Sequence, residues 1–227
     1  MDSILQFDRD LFLLLNGMHT PWWDTVMLFI TRKETWLFLY LMLIYVIARN
    51  YEKKSWIILL VLLAGFAVSD QFSTLIKELT QRYRPGHEPA LEGLVHIVLR
   101  KGSTYGFVSS HASNTFFVLA FTAPLFRNRI SFLSLLTWAM LVSFSRIYNG
   151  NHYPLDVISG GILGIALGIL FYKILIFIET RFFITKTPRF EKTGLRESNA
   201  GLILLTVSTI LGTMLMAVYI LHKYNYL

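Results

Sequence analysis

The sequence predicts an all-α integral membrane bundle of about six transmembrane helices, preceded by an N-terminal amphipathic segment lying at the interface. Three observations carry this: 54% of the 227 residues are hydrophobic, only 15% are charged, and mean hydropathy is +0.52. Such a chain is too apolar for an ordinary soluble domain, and residues 1–227 read as a single membrane-embedded domain. A formal charge of +7 would suit nucleic acid, but the basic residues fall in short clusters between apolar runs. Topology and anionic head groups explain that pattern better, so no nucleic-acid partner is expected. The absence of cysteine excludes disulfides and thiolate metal sites. Nothing in the pattern specifies an oligomeric state.

Residues 5–31 mix apolar side chains with Asp8, Arg9, Asp10, His19, Pro21 and Asp24, and the uninterrupted run 11–15 is far short of a span. An interfacial segment anchored by Trp22 and Trp23 is the expectation. The acidic residues Asp2, Asp8 and Asp10 argue against a cleavable signal peptide. Six apolar segments follow, at 34–49, 55–77, 111–127, 130–148, 154–178 and 200–222. Between the second and third lies a long loop, 78–110, rich in Gly, Pro, Glu and His, and loops of that length are commonly functional. Loops one, three and five carry ten Lys and Arg, against seven on the other side once Lys77, Arg84 and Arg146 are set aside. The positive-inside rule then puts the odd loops in the cytoplasm and the even loops outside. On this threading Lys77, Arg84, His111, Arg146, His152 and Asp156 all reach one membrane face.

Three stretches between 77 and 156 carry chemistry. Lys77 and Arg84 would share a helix face two turns apart, with Pro85 ending that helix; singly, they also read as ordinary interfacial cations. Ser109 and Ser110 stand where a helix N-cap is expected, with His111 in the first turn, and free N–H groups there favour a phosphate; a capped helix with an incidental histidine fits equally. In the run 145–156, Asn149, Gly150 and Asn151 make a turn and Pro154 opens a helix. Asp156, four residues after His152, is placed to hydrogen-bond the imidazole, as for a proton-transferring histidine, and Arg146 adds a bidentate donor; a structural Asp–His cap is the plainer alternative. Asp70, mid-span, is expected to meet a polar partner inside the bundle. His19, His87, His96 and His222 show no partner in the sequence.

The order Lys, six residues, Arg-Pro; Ser-x-His; then Ser-Arg, five residues, His, three residues, Asp closely resembles the type 2 phosphatidic acid phosphatase (PAP2) superfamily, over about eighty of the 227 residues. One motif departs: the family's Pro-Ser-Gly-His reads Val108-Ser109-Ser110-His111, and Ser110 narrows the space beside a phosphate. The resemblance implies His111 as nucleophile forming a phosphohistidine, His152 as proton donor and then base, and Asp156 as its orienting carboxylate. Lys77, Arg84, Ser109, Ser110 and Arg146 would hold the phosphoryl oxygens. It implies no metal and no cofactor, and the chain offers no carboxylate cluster of the Mg²⁺ type. By this analogy the chain hydrolyses a membrane phospholipid or isoprenoid phosphate at the outer face of the cytoplasmic membrane. Undecaprenyl diphosphate is the first choice, with phosphatidylglycerophosphate or phosphorylated lipid A as alternatives. A phosphotransferase sharing the chemistry, and a transporter or flippase that merely binds phosphorylated lipid, are the rival readings.

Overall fold

The computed structural model describes residues 2–98, 101–182, 190 and 193–224. The orientation count also used Arg100, Lys186, Arg189 and Lys192, which lie outside the described residues. The chain forms α1 (Asp2–Gly17), α2 (Pro21–Thr31), α3 (Leu37–Tyr51), α4 (Ser55–Thr80), α5 (Ser110–Phe126), α6 (Arg129–Tyr148), α7 (Pro154–Phe182) and α8 (Glu197–Lys223). Among the described residues there is no strand, only an isolated bridge between Tyr83 and Tyr105. By length and hydropathy four stretches can cross a membrane: Glu34–Thr80, which holds both α3 and α4, and the helices α6, α7 and α8. The helix α5 has 17 residues and mostly buried side chains. It is the central helix, packed against α4, α6 and α7, and its polar first turns (Ser110, His111, Ser113, Asn114, Thr115) explain why apolar length alone does not single it out.

Local chemistry sets the helix ends. Gln81 and Arg127 take the left-handed conformation that closes α4 and α5. The Asn128 side chain accepts from the N–H groups of Ile130 and Ser131 to cap α6, and Pro154 stands at the first position of α7.

At the end of the bundle away from the loop 81–109, the Lys54 ammonium meets Glu179 at 2.7 Å and the Tyr51 hydroxyl donates to the Leu125 carbonyl at 2.7 Å. At the other end the Tyr148 hydroxyl lies on Asp24 and Arg146 donates to Thr31, so α2 is tied to the end of α6, and it packs on α8 as well.

The N-terminal segment differs from the expected single interfacial amphipath. Thr20 accepts from the Trp23 N–H and Pro21 opens a second helix, so the segment breaks in two. On α1 the buried stripe is Asp8, Phe12 and Asn16, while Ile4, Phe7 and Leu14 point outward. A stripe spaced by four residues is one helix face, and here two of its three residues are polar yet turn inward with Phe12, against α6 and α7. Val26, Met27 and Ile30 of α2 join the main core. Trp22 is half-buried against that core and Trp23 is exposed.

The helices α5 and α7 lie backbone to backbone. A Cβ at Gly160 would come 2.5 Å from the Ser109 carbonyl, one at Gly164 2.1 Å from the Ser113 carbonyl, and one at Gly168 2.7 Å from the Phe117 carbonyl. Three glycines at a spacing of four make the groove that admits α5, the small-residue packing of helices in lipid. Gly164→Leu is therefore expected to destabilise the protein by at least about 1–3 kcal/mol, read as a lowered midpoint of thermal unfolding in detergent. An unchanged midpoint would mean that the two helices do not need this contact.

Candidate active site

The cavity is built from four pieces of chain. The helix α4 stops at Thr80, a turn earlier than the expected break at Pro85. Its last turn carries Lys77; Arg84 lies beyond it on extended backbone, so the two do not share a helix face. The loop instead folds back on itself. Arg84 N–H donates to the Thr104 carbonyl at 3.0 Å and Gly106 N–H to the Arg82 carbonyl at 2.8 Å. The Arg84 guanidinium is then held from three sides: Nε donates to the Tyr105 carbonyl at 3.0 Å, Nη2 to Ser103 Oγ at 3.0 Å, and Nη1 lies 3.5 Å from Asn151 Oδ1. Burial pulls its pKa down, opposed by the Asp156 carboxylate, and an arginine so placed stays charged.

The second piece is the start of α5. Ser109 is fully buried, its hydroxyl accepts from the Ala112 N–H, and its own N–H donates to the Asp156 carbonyl at 2.9 Å. The structure thus uses Ser109 to cap α5 and tie it to α7, and does not bring its side chain to the cavity. Ser110 and half-buried His111 do line the cavity. The Ser110 hydroxyl, where the family has glycine, lies 2.7 Å from Ser73 Oγ and accepts from the Lys77 ammonium. Lys77 therefore reaches the site edge through Ser110 instead of lining it directly. Asp70 meets the expected polar partner: its Oδ1 accepts from Asn114 Nδ2 at 3.0 Å.

The third piece joins α6 to α7. The Arg146 Nη1 donates to Thr31 Oγ1 at 2.5 Å, and its carbonyl accepts from the N–H groups of Asn151 and His152. His152 is 1% exposed. Burial, reinforced by the charges of Arg84, Arg146 and Lys77, holds its pKa well below the usual imidazole value. The expected hydrogen bond from His152 to Asp156 is not formed. Nδ1 stands 3.5 Å from Asp156 Oδ2, an ion-pair contact, and has no hydrogen-bond partner among the described residues.

The reason is that Asp156 is already held by the fourth piece. Arg82 Nη1 donates to Asp156 Oδ1 at 2.7 Å, and the Tyr153 N–H donates to Oδ2 at 3.0 Å. Arg82 Nη2 donates in turn to Asp8 Oδ2 at 2.6 Å, and Asp8 Oδ1 accepts from the Leu155 N–H at 2.8 Å. The sequence reading missed both Arg82 and Asp8. The signal for Arg82 was its place two residues before Arg84, and for Asp8 its place on an apolar helix.

Arg84, Ser110, His111, Arg146 and His152 line one cavity of about 240 Å³. Its far wall is aromatic, with Trp36, Tyr40 and Trp138. An adjoining cavity of about 590 Å³ shares Arg32, Lys33, Arg84, His111 and Arg146 and adds Ser103, Asn149 and Asn151. Lys77, Ser109 and Asp156 are absent from both linings and stand behind them. The arrangement joins two imidazoles and several cations to an apolar wall, which suits a phosphate carried on a lipid.

The remaining histidines also have partners, His87 Nε2 lying 3.2 Å from the Gly102 carbonyl. His96 Nε2 lies 2.9 Å from Asp24 Oδ2 and its ring stacks on His19, while His222 Nε2 lies 3.3 Å from Thr25 Oγ1.

Known proteins resemble this chain in sequence and in fold. Residues 54–178, more than half of it, match the PAP2 superfamily. A lipid A 4'-phosphatase of Bacteroides thetaiotaomicron is 35% identical over 77% of this chain and 79% of its own length. Another, of Porphyromonas gingivalis, is 31% identical over 83% and 81%. The undecaprenyl-diphosphatase of Bacillus subtilis is 28% identical over 72% and 82%. The crystal structure of the transmembrane PAP2 type phosphatidylglycerolphosphate phosphatase from Bacillus subtilis superposes with a TM-score of 0.59 over 82% of this chain and 90% of that one, at 24% identity, a likeness of fold. Arg84, Ser110, His111, Arg146 and His152 all fall inside the matched region, and the chain belongs to the PAP2 superfamily.

Proposed function

We propose that the chain is a membrane lipid phosphatase working through a phosphohistidine on His111, with a phosphorylated glycolipid of the lipid A kind as substrate. The supporting observation is that His111 and His152 share one small cavity with Arg84 and Arg146. The His111 imidazole attacks phosphorus in line with the leaving oxygen, and His152 gives that oxygen a proton. Water, deprotonated by His152, then cleaves the phosphohistidine and releases phosphate. Arg84 and Arg146, together with Lys77 behind Ser110, stabilise the charge on the equatorial oxygens. The N–H groups of Ser110 and His111 are in the first turn of α5, where no helical carbonyl reaches them, and add to the same cradle. Asp156 acts on the His152 imidazolium electrostatically, across 3.5 Å.

Undecaprenyl diphosphate, the first choice on sequence, moves to second place because the lipid A 4'-phosphatases are the more similar relatives. The wider cavity supports the same order: Arg32, Lys33, Ser103, Asn149 and Asn151 offer donors and acceptors for a sugar head group. Phosphate release from a panel of phosphorylated lipid A, undecaprenyl diphosphate and phosphatidylglycerophosphate tests this. The highest kcat/KM is expected on the glycolipid. A higher value on undecaprenyl diphosphate would overturn the substrate and leave the chemistry standing, whereas binding without release would favour a transporter. Phosphate appearing on an added lipid or sugar acceptor would favour a phosphotransferase.

The same reading puts the site on the outer face of the cytoplasmic membrane. The chain has no cysteine, so Glu92→Cys, in the exposed part of the loop, gives one thiol. Labelling by an impermeant reagent in intact spheroplasts is expected; labelling only after permeabilisation would reverse the orientation.

The low pKa of His152 has a kinetic consequence. A proton donor must start protonated, and in the free protein that form is lost as pH rises through a value well below about 6.5. Hence kcat/KM is expected to fall with rising pH from the acid side of neutrality. A bound phosphate brings negative charge among the cations and raises the imidazole pKa, so the corresponding limb of kcat should lie at higher pH. Coincident limbs, measured on one substrate, would count against His152 as the donor.

A further inference from the structure

We propose that His19, Asp24 and His96 bind a divalent transition-metal ion of the zinc class, outside the reaction cavity and tied to the turn that carries His152. The three residues come from separate pieces of chain: the linker between α1 and α2, the first turn of α2, and the loop between α4 and α5. Their ligand atoms all lie within 4.8 Å of one another. His96 Nε2 stands 2.9 Å from Asp24 Oδ2, and the His19 ring stacks on that of His96 with centroids 3.7 Å apart. Tetrahedral zinc with bonds of about 2.0–2.1 Å sets its donor atoms roughly 3.3 Å apart. The His96 and Asp24 atoms are already near that spacing, and only the exposed His19 has to turn.

The surroundings hold the two inner donors. The Tyr148 hydroxyl donates to Asp24 Oδ1 at 2.8 Å, leaving Oδ2 facing His96. Asn16 brackets the His96 backbone, its Oδ1 accepting from the N–H at 2.8 Å and its Nδ2 donating to the carbonyl at 3.0 Å. A ligand carboxylate oriented by a hydroxyl donor is the pattern of metal sites, and the His96 main chain is fixed beside it. Two imidazoles and one carboxylate suit zinc and its neighbours and disfavour Mg²⁺ and Ca²⁺, which take all-oxygen sets. Three protein ligands leave a fourth position for water.

The ion's effect would be on order, not on chemistry. Tyr148 precedes His152 by four residues, and the Gly150 backbone abuts His96: a Cβ there would stand 2.6 Å from the His96 carbonyl. One ion would pin the α1–α2 linker and the α4–α5 loop to the His152 turn.

The test uses full-length protein purified in detergent without a polyhistidine tag, stripped with EDTA and dialysed. Calorimetric titration with Zn²⁺ is expected to show one site, with Mg²⁺ giving no signal. Saturating Zn²⁺ should raise the thermal midpoint by about 5–10 °C. His19→Ala, at an exposed position where folding is not at risk, and Asp24→Asn should each weaken Zn²⁺ binding at least about tenfold. Phosphate release by the stripped wild type should match that of the loaded protein. Absence of Zn²⁺ binding at 100-micromolar order, or binding unchanged in both variants, would overturn the site. Loss of turnover on stripping would overturn its placement outside the reaction.

Discussion

His111→Ala is expected to abolish phosphate release, with a fall in kcat of at least about 10⁴-fold, the scale on which removal of a covalent nucleophile acts. The residue sits half-buried in the first turn of α5, facing the cavity that also holds His152, Arg84 and Arg146. Its loss removes the reacting atom while leaving the cap at Ser109 and the α5–α7 contact in place, so the variant should fold and still bind phosphorylated lipid. Acid-labile, alkali-stable phosphoprotein should be trapped in wild type by rapid quench and be absent from the variant. In His152→Ala, where water is no longer activated, a leaving group that needs no proton should let the same species accumulate. Release from His111→Ala at the wild-type rate would remove the nucleophile from the proposal.

Arg82→Ala is the second large effect. The substitution leaves two buried carboxylates, Asp8 and Asp156, without the guanidinium that now spans them at 2.6 and 2.7 Å. Breaking a buried ion pair costs about 3–5 kcal/mol, and the lower end applies because Arg82 keeps some access to water. Asp156 would also lose the contact that fixes it beside His152, and a displacement of about 1 Å in catalytic geometry is worth roughly 10²-fold in kcat. Arg82→Lys should recover part of both. Asp8→Asn separates the two effects: it spares the Arg82–Asp156 contact, so stability should drop while kcat changes little. A stable Arg82→Ala protein with wild-type kcat would mean that Asp156 needs no such support.

Much of this was legible in the sequence where apolar length and local caps decide the outcome. The six expected segments coincide with α3 to α8 to within a few residues, because hydropathy, Asn128 and Pro154 act locally. Arg84, Ser110, His111, Arg146 and His152 share a lining because α4 and α6 end, and α5 and α7 begin, on one side. What the sequence could not show depended on contacts between distant residues. Arg82 meets Asp8 and Asp156 across 74 positions in either direction, and nothing local encodes that pairing. The Asp156 carboxylate was spaced correctly for His152, but competition from Arg82 and the Tyr153 N–H decided the distance. The inward face of α1 misled for a different reason: lipid tails are as apolar as leucine, so hydrophobic periodicity does not say which face is inside. The glycines 160, 164 and 168 were a readable sign of close helix contact and went unused.

Those glycines govern how the protein responds to its surroundings. Where two helices touch through main-chain atoms, no side-chain rotation can widen or narrow the gap. The histidine proposed to accept phosphorus and the carboxylate that steadies the second histidine therefore travel as one body. A bilayer that thickens, thins or curves would tilt this pair as a unit, and the reacting groups would keep their spacing while the lipid's path to them changed.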